Sequence, residues 1–596
     1  MALATAVALA AGLTVCPPAT AAGVRIHDVQ GTTRLSPLAG TTVSEVPGVV
    51  TAVRSFGSSR GFWIQDPAPD DDPATSEGLF VFTGSTTPKL SVGDAVLVSG
   101  RVSEYYPGGA SAGGQSLTEL SGATWTVTSS GNPLPAAAPV NAATLPARWA
   151  PDTGGGSLEP LPLRPARYAL DRYESLEGMR VAVSDAPVVG PSNTYHELWV
   201  TADPARHRTA RGGVLYDSYR DPNAARLKVT SLLPLATDPF PTANVGDELT
   251  GTTSGPLDYD SFGGYTLAAT AVGGLAHGTT APEVTRPAAA DQLSVATYNV
   301  ENLSPKNPQA KFDRLASALV TNLASPDIVS LEEVQDDDGA TDDGVVGAGA
   351  TLTKLTDAIA AAGGPAYRWR SIDPVDDSDG GEPGGNIRNV FLYNPERVSF
   401  TDVPGGTATT GVSVTGTAKA PALTASPGRI APTDAAWKDS RKPLVGQFSF
   451  RGKPVFVVAC HFNSKGGDQG LDSRFQPPAR SSETQRVAQA RLVNGFVRRL
   501  LDVSPKADMV VAGDLNDYQF SPALGALTAG GALTDLVRKL PRDERYGYVY
   551  NGNSQVLDHI LTGPGLHHPD YDIVHVNAEF ADQASDHDPQ VVRVRP

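Results

Sequence analysis

Asp327-Ile328-Val329-Ser330-Leu331-Glu332-Glu333-Val334-Gln335 is an apolar run that ends in acid. In a strand, residues two apart share a face, so Val329, Leu331 and Glu333 form one series that stops at a carboxylate. The same pattern recurs elsewhere. Leu293, Val295 and Thr297 lead to Asn299, and Val455, Val457 and Ala459 lead to His461. Val510 and Ala512 lead to Asp514, with Asn516 next on that face, while the series Val556, Asp558, Ile560 encloses its acid. One polar strand end usually marks where a strand meets water. Burying an unpaired carboxylate is costly, so a set of strand ends carrying Asp, Glu, Asn and His predicts one shared polar pocket at a sheet edge. A cation and a phosphate would satisfy it.

Outward from these strands the period changes to that of helices. Phe312, Leu315, Ala316, Leu319, Val320 and Leu323 keep helical spacing, and Ser325-Pro326 ends that helix. Ser482 and Gln485 predict a capping box opening a helix with Val493, Phe496, Val497, Leu500 and Leu501 on one face. The last stretch holds Ser585-Asp586-His587-Asp588-Pro589 ahead of the apolar run Val591-Val592-Arg593-Val594. Strands alternating with helices predict an α/β domain over residues 291–596.

The N-terminal half reads differently. Pro47 to Val53, Gly61 to Ile64, Gly78 to Phe82 and Asp94 to Val102 are short apolar runs separated by Gly, Ser, Pro and Asp clusters. This is the pattern of an all-β barrel or sandwich, predicted over residues 24–131. A stretch containing Gly154-Gly155-Gly156 and Pro160 to Pro165 reads as linker. A second module follows over residues 166–279. Leu176-Glu177-Gly178-Met179-Arg180-Val181 echoes Val46-Pro47-Gly48-Val49-Val50, and Val245-Gly246-Asp247 echoes Val92-Gly93-Asp94. The repetition predicts an internal duplication. A Gly-rich aromatic loop follows in each copy, Tyr105 to Gly109 and Tyr259 to Tyr265. The order of these features resembles OB-like barrels attached to bacterial extracellular nucleases. Such barrels stack single-stranded bases on aromatics; Phe62, Trp63, Tyr105 and Tyr106 are candidates, weighed against plain barrel filling because few Lys or Arg accompany them. Thr280 to Ala290 reads as a second linker.

A chain of 596 residues with 40% hydrophobic and 19% charged residues holds several globular domains. Its net charge of −17 argues against a purely electrostatic nucleic-acid binder. A polyanionic substrate would need bound cations and local Lys or Arg. Leu3 to Val15 is apolar, Pro17-Pro18 breaks it, and Ala19-Thr20-Ala21 offers a cleavage pattern, so residues 1–21 read as an export signal that lacks the usual positive start. The run is too short to span a bilayer. Lipid anchoring through Cys16 is disfavoured by the bulk of Val15. With Cys16 removed, Cys460 stands alone and no intrachain disulfide forms.

The segments Tyr298-Asn299-Val300-Glu301-Asn302-Leu303, Asp327 to Gln335, Gly513-Asp514-Leu515-Asn516-Asp517, Leu557-Asp558-His559-Ile560 and Ser585 to Pro589 occur in that order. The ordered set resembles the endonuclease/exonuclease/phosphatase superfamily with the DNase I-like fold. Ser440-Arg441-Lys442-Pro443-Leu444 and Cys460-His461-Phe462-Asn463-Ser464-Lys465-Gly466-Gly467 resemble its extracellular nuclease branch. The resemblance covers about half the chain. It implies a multidomain protein: two small all-β, OB-like modules followed by a four-layer α/β sandwich.

Carried over residue by residue, the resemblance implies Asn299, Glu333 and Asp586 on the metal side, with Glu333 the principal ligand. Oxygen ligands of this kind suit Mg²⁺ or Mn²⁺. Asp514 would orient or deprotonate the attacking water, and Asn516 would hold it or a phosphate oxygen. His587, its other N–H accepted by Asp558, would meet the scissile phosphate as a cation. His461 would be a second phosphate donor or a general acid. Arg388 and Lys465 are further phosphate candidates, Arg388 being equally suited to a structural ion pair. His559 points to the opposite face, His567-His568 read as a solvated loop, and Asp588 as the start of the last strand. The acidic run Asp336-Asp337-Asp338 with Asp342-Asp343 lacks EF-hand spacing; it reads as a solvated loop, with a structural Ca²⁺ as the alternative. The expectation is a secreted nuclease with no stable protein partner and no membrane span. A phospholipid phosphodiesterase, a phosphomonoesterase and a non-catalytic binding protein are the other readings, and no exposed aromatic loop beside the pocket favours lipid.

Overall fold

Residues 42–129 mix apolar and polar side chains because their strands each turn one face into a barrel. The strands are β1 (Thr42–Arg54), β2 (Arg60–Gln65), β3 (Gly78–Gly84), β4 (Ala95–Tyr105) and β5 (Leu117–Ser129). They close in the order β1-β2-β3-β5-β4 around Val50, Ile64, Val81, Val98 and Leu120. The β3–β5 pair is parallel and the others antiparallel. This computed structural model describes residues 23–596; the export-signal reading of residues 1–21, with Cys16, lies outside them.

The second module repeats this topology. Its strands are β6 (Arg180–Gly190), β7 (Leu198–Thr201), β8 (Arg226–Ser231), β9 (Glu248–Asp260) and β10 (Gly264–Ala269). They pair β6-β7-β8-β10-β9 and back to β6, again with a parallel third pair. The two Gly-Asp turns are equivalent atom for atom. Gly93 N–H donates to Val50 O at 2.9 Å and Val50 N–H to Asp94 O at 2.8 Å; Gly246 and Val188 do the same at 3.0 Å, with Asp247 O at 2.8 Å. Both glycines hold φ near +90° (91° and 92°), which glycine adopts without a side-chain clash. The other predicted echo is not equivalent. Val49 faces Ala95 and Pro187 faces Glu248, so Val46–Val50 corresponds to residues 184–188 and not to Leu176–Val181. Ladder register decides equivalence, and a short apolar-Gly-apolar run does not fix it.

The two predicted linkers are ordered straps. Gly156 and Ser157 pair with Gln476 and Phe475 of the C-terminal domain. Glu283 N–H donates to His575 O at 2.9 Å, and Arg593 donates to Arg286 O at 3.0 Å. Pro- and Gly-rich composition marks irregular backbone, yet irregular backbone can still find partners for its N–H and C=O groups.

Two sheets face each other in the C-terminal domain. The first orders Arg368–Arg370, Arg388–Tyr393, Ile328–Val334, Leu293–Leu303, Gln590–Arg595 and His567–Ile573. The second orders Ser399–Phe400, Leu444–Phe450, Lys453–His461, Asp508–Asp514, Asp558–Thr562 and Thr534–Asp535. Val295, Phe391, Phe448, Val457, Val510 and Val592 fill the space between them. Phe312, Leu315, Leu352 and Leu355 cover the first sheet's outer face, and Val493, Phe496, Val497 and Leu500 the second's. Helix, sheet, sheet, helix makes the four layers.

Two local expectations change. The first helix is α-helical over Gln309–Ser317 and continues as a π-turn over Ala318–Asn322. The helix Glu483–Val503 starts after Ser482 as expected, but no capping box forms. Ser482 Oγ accepts from Arg486 at 2.6 Å and Gln485 reaches Lys438 O at 2.8 Å, because tertiary partners outbid the local ones. His567 and His568 are exposed as expected but lie on an edge strand, not in a loop.

Candidate metal and phosphate site

Register brings the polar strand ends together. His461 and Asp514 are neighbours in a parallel ladder, and Asp514 faces Asp558 in an antiparallel one. Asn299 Nδ2 donates to Glu333 Oε1 on the neighbouring strand at 3.0 Å and, across the gap between sheets, to Asp514 Oδ2 at 3.3 Å. Asn516 N–H donates to Asp514 Oδ1 at 2.7 Å. His587 Nδ1 meets Asp558 Oδ2 at 2.7 Å, leaving Nε2 3.9 Å from both Asp514 and Asp586.

Glu333 reaches this pocket by breaking strand geometry. Val329 and Leu331 pack against the helices, while Leu293, Val295, Val457, Val510 and Ile560 fill the space between sheets. Strict alternation therefore points Glu332 inward, and it does so, buried and accepting from Thr297 and Ser330 hydroxyls. Glu333 sits at φ +61°, in the left-handed region that non-glycine residues rarely adopt. That turn, with a register shift between Asn299 and Leu303, swings its carboxylate into the pocket. Glu301, Asn302 and Asn516 also hold positive φ, and strain of this kind collects at functional sites.

Burial dominates the electrostatics. It pushes the Asp514 carboxyl up to about 7, with Asp558 and Glu333 adding and His587 opposing. Burial alone would neutralise His587, but Asp558 and Asp586 outweigh it and hold the imidazole well above its ordinary value, so it is cationic. His461 goes the other way: burial, then Arg441 and His587, keep it neutral. Glu333, His461 and Asp514 each offer a ligand atom within 4.8 Å of the others. Closely spaced carboxylates beside a neutral imidazole are a donor set that a divalent cation fits. This set differs from Asn299, Glu333 and Asp586. Asn299 Oδ1 accepts from Glu301 N–H at 2.9 Å, so its amide presents N–H to the cluster. Asp586 sits at the rim, its side chain 36% exposed.

Arg388 is not brought to the pocket. Its side chain is fully buried, paired with Asp373 at 2.6 Å and bonded to the Asn386 carbonyl, which makes it structural. Lys465 lies 3.4 Å from Asp517 and 4.1 Å over the Tyr518 ring, and burial pulls its pKa down to about 8. Of the aromatic candidates, Phe62 fills the barrel, Trp63 packs on Phe80, and Tyr106 donates to Glu159 at 2.7 Å. Only Tyr105 among them is exposed. His559 is structural, with Asp535 at 3.1 Å. Asp588 is too: it accepts from Val576, Asn577 and Ala578 N–H and pairs with His575 at 2.9 Å. Asp336, expected in a solvated loop, is fully buried and accepts from Asn386 at 3.0 Å. Asp342, Asp376 and Asp377 cluster on the surface and are exposed.

Two neighbours escaped the sequence reading. The buried Arg441 guanidinium bonds Phe462 O at 2.5 Å and lies in the field of Glu333 and Asp514. Tyr548 places its ring 4.7 Å from His587. Arg441 stood inside a quoted motif, but no spacing told which atoms it faces; nothing local marked Tyr548. No helix among the described residues is long and apolar enough to cross a membrane.

Residues 296–587 match the Endonuclease/Exonuclease/phosphatase family model. Residues 140–277, which include the second barrel, match a domain of unknown function, DUF8508. No curated protein matches the chain. Similar solved structures include humanized D. rerio TDP2 carrying 14 mutations, 18% identical over 51% of this chain and 100% of its own, with a TM-score of 0.32. An endonuclease/exonuclease/phosphatase family protein from Bacteroides thetaiotaomicron is 18% identical over 51% and 94%, with a TM-score of 0.33. The human Nocturnin catalytic domain with bound sulfate is 12% identical over 51% and 93%, with a TM-score of 0.32. By the family match, residues 296–587 form a domain of the endonuclease/exonuclease/phosphatase family.

Proposed function

We propose that this protein is a secreted phosphodiesterase that hydrolyses nucleic acid with Mg²⁺ or Mn²⁺. The observation that carries the reading is the meeting of Glu333, His461 and Asp514 ligand atoms within 4.8 Å, beside a cationic His587. Glu333 would be the principal ligand, with Asp514 and neutral His461 in reach. A bound cation would supply Lewis-acid polarisation of a phosphoryl oxygen. Asp514 would take a proton from the attacking water, and Asn516, whose N–H donates to Asp514, would hold that water. His587, fixed by Asp558, neutralises charge growing on the phosphoryl oxygens. Because His461 is held neutral, it serves better as a ligand than as a general acid.

Both barrels share the strand order of an OB-like fold, which supports reading them as such modules. Support for a polynucleotide comes from Tyr550, 57% exposed on the hairpin that carries Tyr548, where a base could stack. That exposed ring beside the pocket also suits an acyl chain, so a phospholipid substrate is the second reading. One panel decides: the full chain with duplex DNA, single-stranded DNA, RNA, sphingomyelin and p-nitrophenyl phosphate, with EDTA, Mg²⁺ or Mn²⁺. Metal-dependent cleavage of a polynucleotide is expected, and His587→Ala should slow it by about 10²- to 10³-fold. Cleavage of lipid alone would overturn the substrate, and full activity in EDTA would overturn the metal. Detection of the chain, shortened at its N-terminus, in the culture medium tests export.

A further inference from the structure

Tyr548 holds the loop that carries Asp586 and His587. Its backbone bridges His587, its ring is tilted 50° to the imidazole, and the preceding Gly547 O accepts Asp588 N–H at 2.8 Å. Its hydroxyl faces Asp586; burial and that carboxylate together keep it a neutral donor. Tyr548–Tyr550 pairs with Asn553–Gln555 in a hairpin of two three-residue strands. Such a hairpin is not stable alone. Something else must fix where it sits.

The second barrel's β7–β8 connection and β7 itself do so. Leu215 bridges Ser554 in parallel, Tyr216 N–H donates to Ser554 O at 2.8 Å, and Ser554 N–H donates to Val214 O at 2.8 Å. Asn223 Nδ2 donates to Asn553 Oδ1 at 2.8 Å. At the turn, Gly552 lies so close to β7 that a Cβ there would come within 2.8 Å of Trp199 Cβ. One strand of the hairpin is thus gripped by the barrel, and the other carries the catalytic loop.

We propose that the second barrel is part of the catalytic centre: it seats this hairpin, and Tyr548, as a positioning residue, holds His587 and Asp586 against Asp558 and Asp514. The inference rests on the phosphodiesterase reading above.

The test uses the full chain, bis-p-nitrophenyl phosphate and Mn²⁺, with Tm measured beside kcat and KM. Tyr548→Leu should lower kcat by about 10- to 100-fold with KM nearly unchanged, because small misplacements of catalytic groups cost this much. Tyr548→Phe keeps the ring and should restore kcat to within about threefold of wild type. Asn223→Ala, in the barrel, should lower kcat by about three- to tenfold by loosening the grip. It also decides the question should Tyr548→Leu fail to fold. Wild-type kcat in Tyr548→Leu, or in Asn223→Ala, overturns the proposal. An inactive wild-type chain would instead sink the phosphodiesterase reading, and this inference with it.

Discussion

Glu333 shows how a single residue departs from its element. Its left-handed backbone costs about 1–3 kcal/mol, and its carboxylate then lies near Asp514 in a buried pocket. A divalent cation held there would offset that repulsion, so binding would be linked to stability. At 100 times its Kd, Mn²⁺ should raise the unfolding free energy by about 2.7 kcal/mol. Glu333→Gln should abolish both the rise and hydrolysis, as read by Tm with and without EDTA and by the DNA assay. An equal metal-induced rise in the variant would place the cation elsewhere. The sequence named Glu333 through its series with Val329 and Leu331. That series faces the helices, so Glu333 reaches the pocket through one left-handed φ angle that alternation does not predict.

At the scale of elements, the short strand Thr534–Asp535 is tied to Asp558–Thr562 by His559, whose Nδ1 meets Asp535 at 3.1 Å. Burial alone would lower the His559 pKa, but Asp535 and the Asp517 carbonyl raise it above its ordinary value. A histidine raised on folding stabilises fully below its unfolded pKa of about 6.5 and loses that contribution as pH climbs through the folded pKa. A double-mutant cycle with His559→Gln and Asp535→Asn should therefore give a larger coupling at pH 6 than at pH 9. A coupling that grows with pH would refute the pairing. Alternation along the strand already assigned His559 to the face away from the pocket. Its partner, 24 residues away in sequence, was not legible.

At the scale of the molecule, the barrels are built onto the C-terminal domain. Arg211 of the second barrel pairs with fully buried Glu579 at 2.6 Å, and Tyr259 donates to Asp472 at 2.6 Å. Gln115 and Arg474 tie the first barrel to the same loop. Arg211→Ala would leave Glu579 with the Tyr546 hydroxyl and the nearby His575. It should cost about 3 kcal/mol, measured as a lower unfolding midpoint. An unchanged midpoint would mean the interface contributes little to stability. Composition suggested linkers here, since Pro and Gly mark irregular backbone whether or not it docks.

By itself the sequence determined the Gly-Asp turn that both modules share and the apolar strand series that lead to Asn299, His461 and Asp514. Each is written in local period or spacing, and each survives folding. Tertiary structure alone decided that Glu333 joins the pocket by a left-handed turn while Glu332 is buried on Thr297 and Ser330, that Arg388 is an internal ion pair, and that Tyr548 flanks His587. Those outcomes depend on backbone angles, ladder register and contacts between distant segments, and no run of neighbouring residues encodes them.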